Sequence, residues 1–158
     1  MIKLRNPYAH MPGYNCFGCS PTNEMGLRME FFEEGDEIVS RWKPGMQFQG
    51  FHDILHGGIQ ATLMDEIASW VVMVKLGTAG VTYRMNTVFR APVRVSRGML
   101  TLRARFVEQK RNIATMQVML EDGEGKKCSE STVDYFLMGS EKAEKELHYP
   151  GKEAFYSE

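Results

Sequence analysis

No long hydrophobic run occurs in these 158 residues. The longest strongly apolar stretch runs from Ile67 to Val74, between Glu66 and Lys75. Crossing a bilayer takes about 20 such residues, so no membrane partner is expected. The opening Met1-Ile-Lys-Leu-Arg-Asn-Pro lacks the apolar core of a signal peptide. Cysteine is scarce: three residues, an odd number with no disulfide framework. Free thiols in a reducing, cytoplasmic setting are expected. Neither sign of charge dominates, with 19 Lys and Arg against 20 Asp and Glu, a net charge of -1. Nothing therefore points to a nucleic-acid partner. There is no Gly-x-Ser-x-Gly elbow and no Ser-His-Asp order, which sets aside a serine hydrolase. Cys16-Phe-Gly-Cys19 has no second Cys-x-x-Cys to complete a four-ligand zinc site, and no metal is expected. Repeats and low-complexity linkers are also missing. The length fits one domain spanning 1–158.

What is present is a strand-helix-strand pattern. Residues 1–24 read as an irregular, ordered N-terminal segment rich in Pro, Gly, Asn and Tyr. Leu27, Met29 and Phe31 alternate with Arg28 and Glu30, a strand period. A turn at Glu33 to Asp36 and a partner strand at Glu37 to Trp42 complete a hairpin. Residues 57–76 form the one long helical candidate. Four more strand-like runs follow near Val81–Phe89, Met99–Glu108, Ala114–Glu121 and Lys127–Met138, with turn-forming separators. Residues 140–158 read as a charged surface tail with room for one short helix. Consecutive strands with short turns imply an antiparallel sheet. One helix is available to cover its apolar face. The economical α+β architecture is one sheet curled around that helix.

The helix carries Ile59, Leu63, Ile67, Trp70 and Val74 on one side, and Met64 and Val71 extend that surface. A helix apolar nearly all round is buried. Against this, Gly58, Thr62, Asp65 and Ser69 make one narrow polar stripe, within about 60° of arc. A carboxylate in such a place must be paired, protonated or facing a cavity. Asp65 is thus a candidate functional group. A structural hydrogen bond or ion pair is the competing explanation. Its neighbour Glu66, at the edge of the stripe, could be the working group but reads better as a solvated or interface charge.

Leu55-His56-Gly57-Gly58 opens the helix. Glycines are poor helix formers, but at a helix start they leave backbone N–H groups uncovered. With the positive end of the helix dipole, those donors suit a carbonyl becoming an oxyanion. Asp65 lies about 12 Å further along the axis. One carboxylate cannot easily serve its own helix start at that distance. An antiparallel helix from a second subunit could supply it, which predicts a homodimer with shared sites.

The run Gln49-Gly50-Phe51-His52-Asp53-Ile54-Leu55-His56-Gly57-Gly58, continuing to Asp65, resembles the hotdog-fold thioesterases. It looks closest to the phenylacetate-type (PaaI-like) branch of the 4-hydroxybenzoyl-CoA thioesterase superfamily. Val81 to Pro92 is similar to that branch's strand after the helix, with Asn86 among its matching residues. The similarity runs from about Leu27 to Met138. It implies a hotdog fold, an antiparallel sheet wrapped around one long central helix. It also implies hydrolysis of an acyl-CoA to a free acid and coenzyme A, with Asp65 as nucleophile or general base. Gly57 would be the oxyanion donor, backed by Gly58, and His56 would polarise the thioester. Ser69 matches a hydroxyl near the water, and Thr82 a hydroxyl contributed from across the dimer. Relatives often place an amide side chain where this chain has Gly50; here the amide is one residue earlier, at Gln49.

Further candidates are weaker in the sequence. The run from Cys16 to Leu27 resembles a leader seen in one set of these enzymes. It reads as a packed segment near the pocket, with Asn23 as a pocket-lining or turn residue. Arg90, with Arg94 and Arg97, and Arg111, beside Lys110, sit on turns where cations suit the phosphates of coenzyme A. A solvated rim explains them equally well. No cofactor is needed beyond the coenzyme A of the substrate. A dimer, or a tetramer built as a dimer of dimers, is the expected assembly. A non-catalytic acyl-CoA sensor and an acyl-thioester hydratase or dehydratase are the rival readings.

Overall fold

A computed structural model describes residues 1–156. In chain order the elements are β1 (Ile2–Lys3), β2 (Phe32–Glu34), β3 (Glu37–Trp42), α1 (Gly57–Lys75), β4 (Gly80–Phe89), β5 (Leu100–Lys110), β6 (Ile113–Glu121), β7 (Lys127–Leu137) and α2 (Ser140–Leu147). The strands form one antiparallel sheet in the order β1-β2-β3-β5-β6-β7-β4. This sheet wraps around α1, which packs against β3, β4, β5, β6 and β7. Alternation decides which face turns inward. Leu100, Leu102 and Ala104 on β5 are buried, as are Ala114, Met116, Val118 and Leu120 on β6, and Val133 and Tyr135 on β7.

α1 is buried on most sides because it has apolar residues on most sides. Leu63, Met64, Ile67, Ala68, Trp70, Val71, Val72 and Val74 are all at most 1 % exposed. Trp70 stacks on Phe31 with ring centroids 4.1 Å apart, and Phe155 meets it edge-on at 5.3 Å. Pairs of this kind add about 0.5–1.5 kcal/mol each beyond area burial. The helix stops at Lys75, where Leu76 caps it and Gly77 adopts φ +66°. That left-handed conformation is one glycine reaches without a Cβ clash.

Three expectations need correction. Leu27–Phe31 is not a strand, although Leu27, Met29 and Phe31 are buried as the alternation implies. Arg28 sits at φ +52°, which breaks the extended run. The segment's amides bond instead to Phe17 and Gly18 carbonyls. The paired strand is Phe32–Glu34, and its outer edge takes a seventh strand, β1, from the N-terminal segment. The C-terminal tail is more than a surface tail. After the exposed helix α2, Tyr149 and Phe155 turn back and are buried against the core, with the Tyr149 hydroxyl donating to the Met73 carbonyl at 2.7 Å. Ser157 and Glu158 of that tail lie outside the described residues. No helix among the described residues is long and apolar enough to cross a membrane.

Candidate active site

The loop before α1 is fixed by backbone hydrogen bonds from Leu55 to the Val93 carbonyl and from His56 to the Phe48 carbonyl. His56 is the N-cap. Its Nδ1 accepts the Gly58 N–H at 2.9 Å. A neutral ring then carries its proton on Nε2. Gly58 is therefore occupied by capping, a correction to its expected role as a donor to substrate. The Gly57 N–H has no acceptor among the described residues. It stands at the positive end of a 19-residue helix. The helix start thus offers one free backbone donor and one outward-facing imidazole.

Asp65 is two turns further on. Its Oδ1 accepts from Thr82 Oγ1 and from the Tyr135 hydroxyl, each at 2.8 Å. Thr82 on β4 and Tyr135 on β7 are paired across the sheet, so both side chains reach toward α1 together. Burial first, and then the Asp65 charge, hold the Tyr135 phenol well above its usual range, so it remains a donor. Oδ2 has no donor among the described residues. The carboxylate is anchored through one oxygen and presents the other. Thr82 does this within one chain. Tyr135 was not anticipated. Its place among the inward residues of β7 announces a buried phenol that needs an acceptor. Which acceptor depends on the fold.

Glu66 is turned the other way, toward the N-terminal segment. Cys16 Sγ and its Oε1 share a hydrogen bond at 3.6 Å. Gly18 lies so close that a Cβ there would come within 2.5 Å of the carboxyl group. Burial, followed by the charge on Cys16, raises Glu66 to about 7. The Cys16 thiol is drawn down to about 5, first by the hydrogen bond from the Cys19 thiol, with backbone amides of Cys19 and Gly18 also facing the sulfur. Glu66 is accordingly not a freely solvated charge. Residues 14–20 fold over its face of the helix, and no local pattern in the sequence says so.

Between this segment and α1 lies a cavity of about 250 Å³, lined chiefly by Tyr8, Tyr14, Trp70, Met73 and Leu147, with Cys16, Cys19, Glu66, Ser69 and Tyr135 on its wall. Tyr135 therefore links the cavity to Asp65. Ser69 Oγ donates to the Glu66 carbonyl at 2.7 Å, so its proton is engaged within the helix.

Other expected site residues are not brought to Asp65 in this chain. Gln49 Oε1 accepts the Asp53 N–H at 2.8 Å and braces the loop before α1, in a separate groove with Lys43, Met46 and Ser96. Asn23 is a turn residue: its Oδ1 accepts from the Met25 N–H and its Nδ2 donates to the Asn15 carbonyl. Asn86 pairs with Thr132 on the outer face of the sheet, one register step from the inward-facing Met85. Arg90 is exposed and paired with Glu130, just after Phe89, whose ring borders Gly57. Arg111 occupies the β5–β6 turn at φ +56°, beside Leu76 at the opposite end of α1. That helix is about 28 Å long, so the two arginines of one chain cannot grip one phosphate group.

No curated protein matches the chain. Solved structures do. A thioesterase from Haemophilus influenzae is 27% identical, with a TM-score of 0.65, over 72% of this chain and 80% of that one. A hypothetical thioesterase from Streptococcus pneumoniae, solved with coenzyme A, is 26% identical with a TM-score of 0.65, over 71% and 87%. A Bacillus halodurans protein solved with CoA shares the fold at 24% identity and a TM-score of 0.64, over 72% and 76%. The sequence model of the thioesterase superfamily matches residues 52–129, from the loop before α1 into β7. With the single antiparallel sheet around one long helix the chain has the hotdog fold, and its residues 52–129 match the thioesterase superfamily.

Proposed function

We propose that the protein hydrolyses acyl-CoA thioesters, with Asp65 as the working carboxylate and the active site completed across a homodimer. The observation that carries this reading is the anchoring of Asp65. Two hydroxyl donors hold Oδ1, leaving Oδ2 to take a proton from water or to attack the thioester carbon. Attack on the carbonyl drives charge onto its oxygen. The Gly57 N–H at the helix start is the donor suited to that charge, with the His56 Nε2–H beside it. Where water attacks, collapse of the adduct expels the CoA thiolate, which takes up the proton held by Asp65, and leaves the acid; where Oδ2 attacks, collapse leaves a mixed anhydride on Asp65 that water then hydrolyses. The CoA in the Streptococcus and Bacillus relatives supports the substrate class. The mostly apolar cavity beside Tyr135 is the place for the acyl group.

Gly57 and Asp65 of one chain are about 12 Å apart along the helix axis, too far to act on one carbonyl. β4 ends the sheet. It is ten residues long, pairs only with β7 among the described strands, and leaves Val81, Tyr83, Val88 and Phe89 more than 40 % exposed. Long apolar edges of this kind are normally paired or covered. A second copy meeting this edge would bring its Gly57 toward Asp65.

Two measurements test the reading. Free-thiol release from a panel of acyl-CoAs should be measurable for at least one member. No release from a folded protein would favour an acyl-CoA sensor, and water addition to an enoyl-CoA would favour a hydratase. Co-expression of Asp65→Asn and Gly57→Pro chains tests the shared site. Each variant alone should be nearly inactive. Random pairing should restore about a quarter of wild-type activity, because half the dimers are mixed and each has one intact site. No recovery in isolated mixed dimers would refute sharing.

A further inference from the structure

The Cys16-Phe-Gly-Cys19 turn and Glu66 gather two thiols and a carboxylate on the cavity wall, from elements about fifty residues apart in sequence. Their sulfur and oxygen atoms all lie within 4.8 Å of one another. Cys16 Sγ is 3.6 Å from Glu66 Oε1. A tetrahedral zinc with Zn–S of about 2.3 Å and Zn–O of about 2.0 Å spaces sulfur and oxygen about 3.5 Å apart. One edge of the coordination shell already has that length. The remaining atoms need to close by about 1.3 Å at most.

Donors already face the Cys19 sulfur. Cys19 Sγ has the Tyr14 hydroxyl at 3.0 Å and the Asn6 side-chain amide at 3.6 Å, both able to donate. Asn6 also donates to the Tyr14 oxygen at 3.1 Å, which leaves the phenol proton for the sulfur. Hydrogen bonds of this kind orient metal-binding groups and tune them. Gly18, between the cysteines, gives the turn its close approach to Glu66, since any Cβ there would strike the carboxyl group. No Lys, Arg or His pairs with Glu66 among the described residues. A largely covered carboxylate without a cation is costly. A divalent ion would supply the missing charge.

We propose that Cys16, Cys19 and Glu66 bind one zinc ion, with the fourth position open to water from the cavity. Thiolates favour zinc over magnesium or calcium. On binding, both thiols and any protonated Glu66 lose their protons to solvent, and zinc–sulfur and zinc–oxygen bonds form with no change of oxidation state. The ion clamps residues 14–20 onto α1 and stiffens the cavity wall next to Asp65. The inference goes beyond the thioesterase reading, and metal content is read without turnover.

The test begins with reduced, chelator-treated wild-type protein, titrated with Co²⁺ and separately with Zn²⁺. The expected result is one ion per chain, a thiolate-to-cobalt charge-transfer band in the ultraviolet, and visible bands of tetrahedral intensity. Zinc should displace the cobalt and raise the thermal midpoint. Cys16→Ser and Cys19→Ser should each abolish the charge-transfer spectrum of the two-thiolate site, and Glu66→Gln should weaken binding by about tenfold or more. No charge-transfer band in reduced wild-type protein would overturn the proposal. So would a site whose affinity is unchanged in folded Cys16→Ser and Cys19→Ser chains.

Discussion

Replacing Gly57 with proline removes one hydrogen-bond donor and changes little else. Gly57 is the first residue of α1, where proline is well tolerated because that N–H has no helical partner. The residue before a proline must be extended, and His56 already is, at φ -56° and ψ 132°. A Cβ at position 57 would meet only the Phe89 ring, at an ordinary 3.7 Å. The fold should therefore survive Gly57→Pro. Activity should not. Loss of one oxyanion donor costs about 10² to 10³ in kcat, or about 2.7–4 kcal/mol of barrier. Gly57→Ala keeps the N–H and adds the same Cβ, so it should stay within a few-fold of wild type. The assay is steady-state thiol release with both variants beside wild type, and thermal denaturation checks the fold. A Gly57→Pro enzyme that is folded and as fast as Gly57→Ala would refute the oxyanion role.

Two further outcomes follow from the same contacts. Tyr135→Phe removes one of the two donors to Asp65 Oδ1 and leaves Thr82; a less firmly held carboxylate should lower kcat by up to about 10² with the fold retained, and a wild-type kcat would contradict the anchoring argument. Glu33 is half-buried against Lys75 and the Tyr156 hydroxyl, and although burial alone would raise its pKa, these partners hold it below the usual 4.5. Its stabilising contribution should be present above about pH 4.5 and be lost as pH falls below that value. The thermal midpoints of wild type and Glu33→Gln should then differ most near neutrality and converge in acid; a constant gap would count against the pairing.

Periodic features were the most legible in the sequence. The helix expected over 57–76 is observed at Gly57–Lys75, and β3 and the four strands after the helix fall within two residues of their expected bounds. In these elements local alternation and burial agree. Leu27–Phe31 shows the limit: its alternation reports burial, while the left-handed Arg28 and the carbonyls of Phe17 and Gly18 decide its backbone. Phe155 carries no periodic signal, yet it closes the core against Trp70. Asp65 was visible because a carboxylate interrupts an apolar helix. Its partners were not, since Thr82 and Tyr135 meet it only after β4 and β7 pair. Glu66 was misread for the same reason, its neighbours Cys16 and Gly18 lying in a segment with no regular structure of its own. Arg90 and Arg111 carry the charge that suits a phosphate, but charge and a turn position carry no distance.

The central claim is that Asp65 performs the chemistry. Asp65→Asn is the direct test, because an amide oxygen can still accept from Thr82 and Tyr135, and the fold should be kept. Thiol release from the best acyl-CoA substrate should fall by about 10² to 10⁴ in kcat, with an unchanged thermal midpoint and CoA still bound. A folded Asp65→Asn protein that turns over at the wild-type rate would contradict the account.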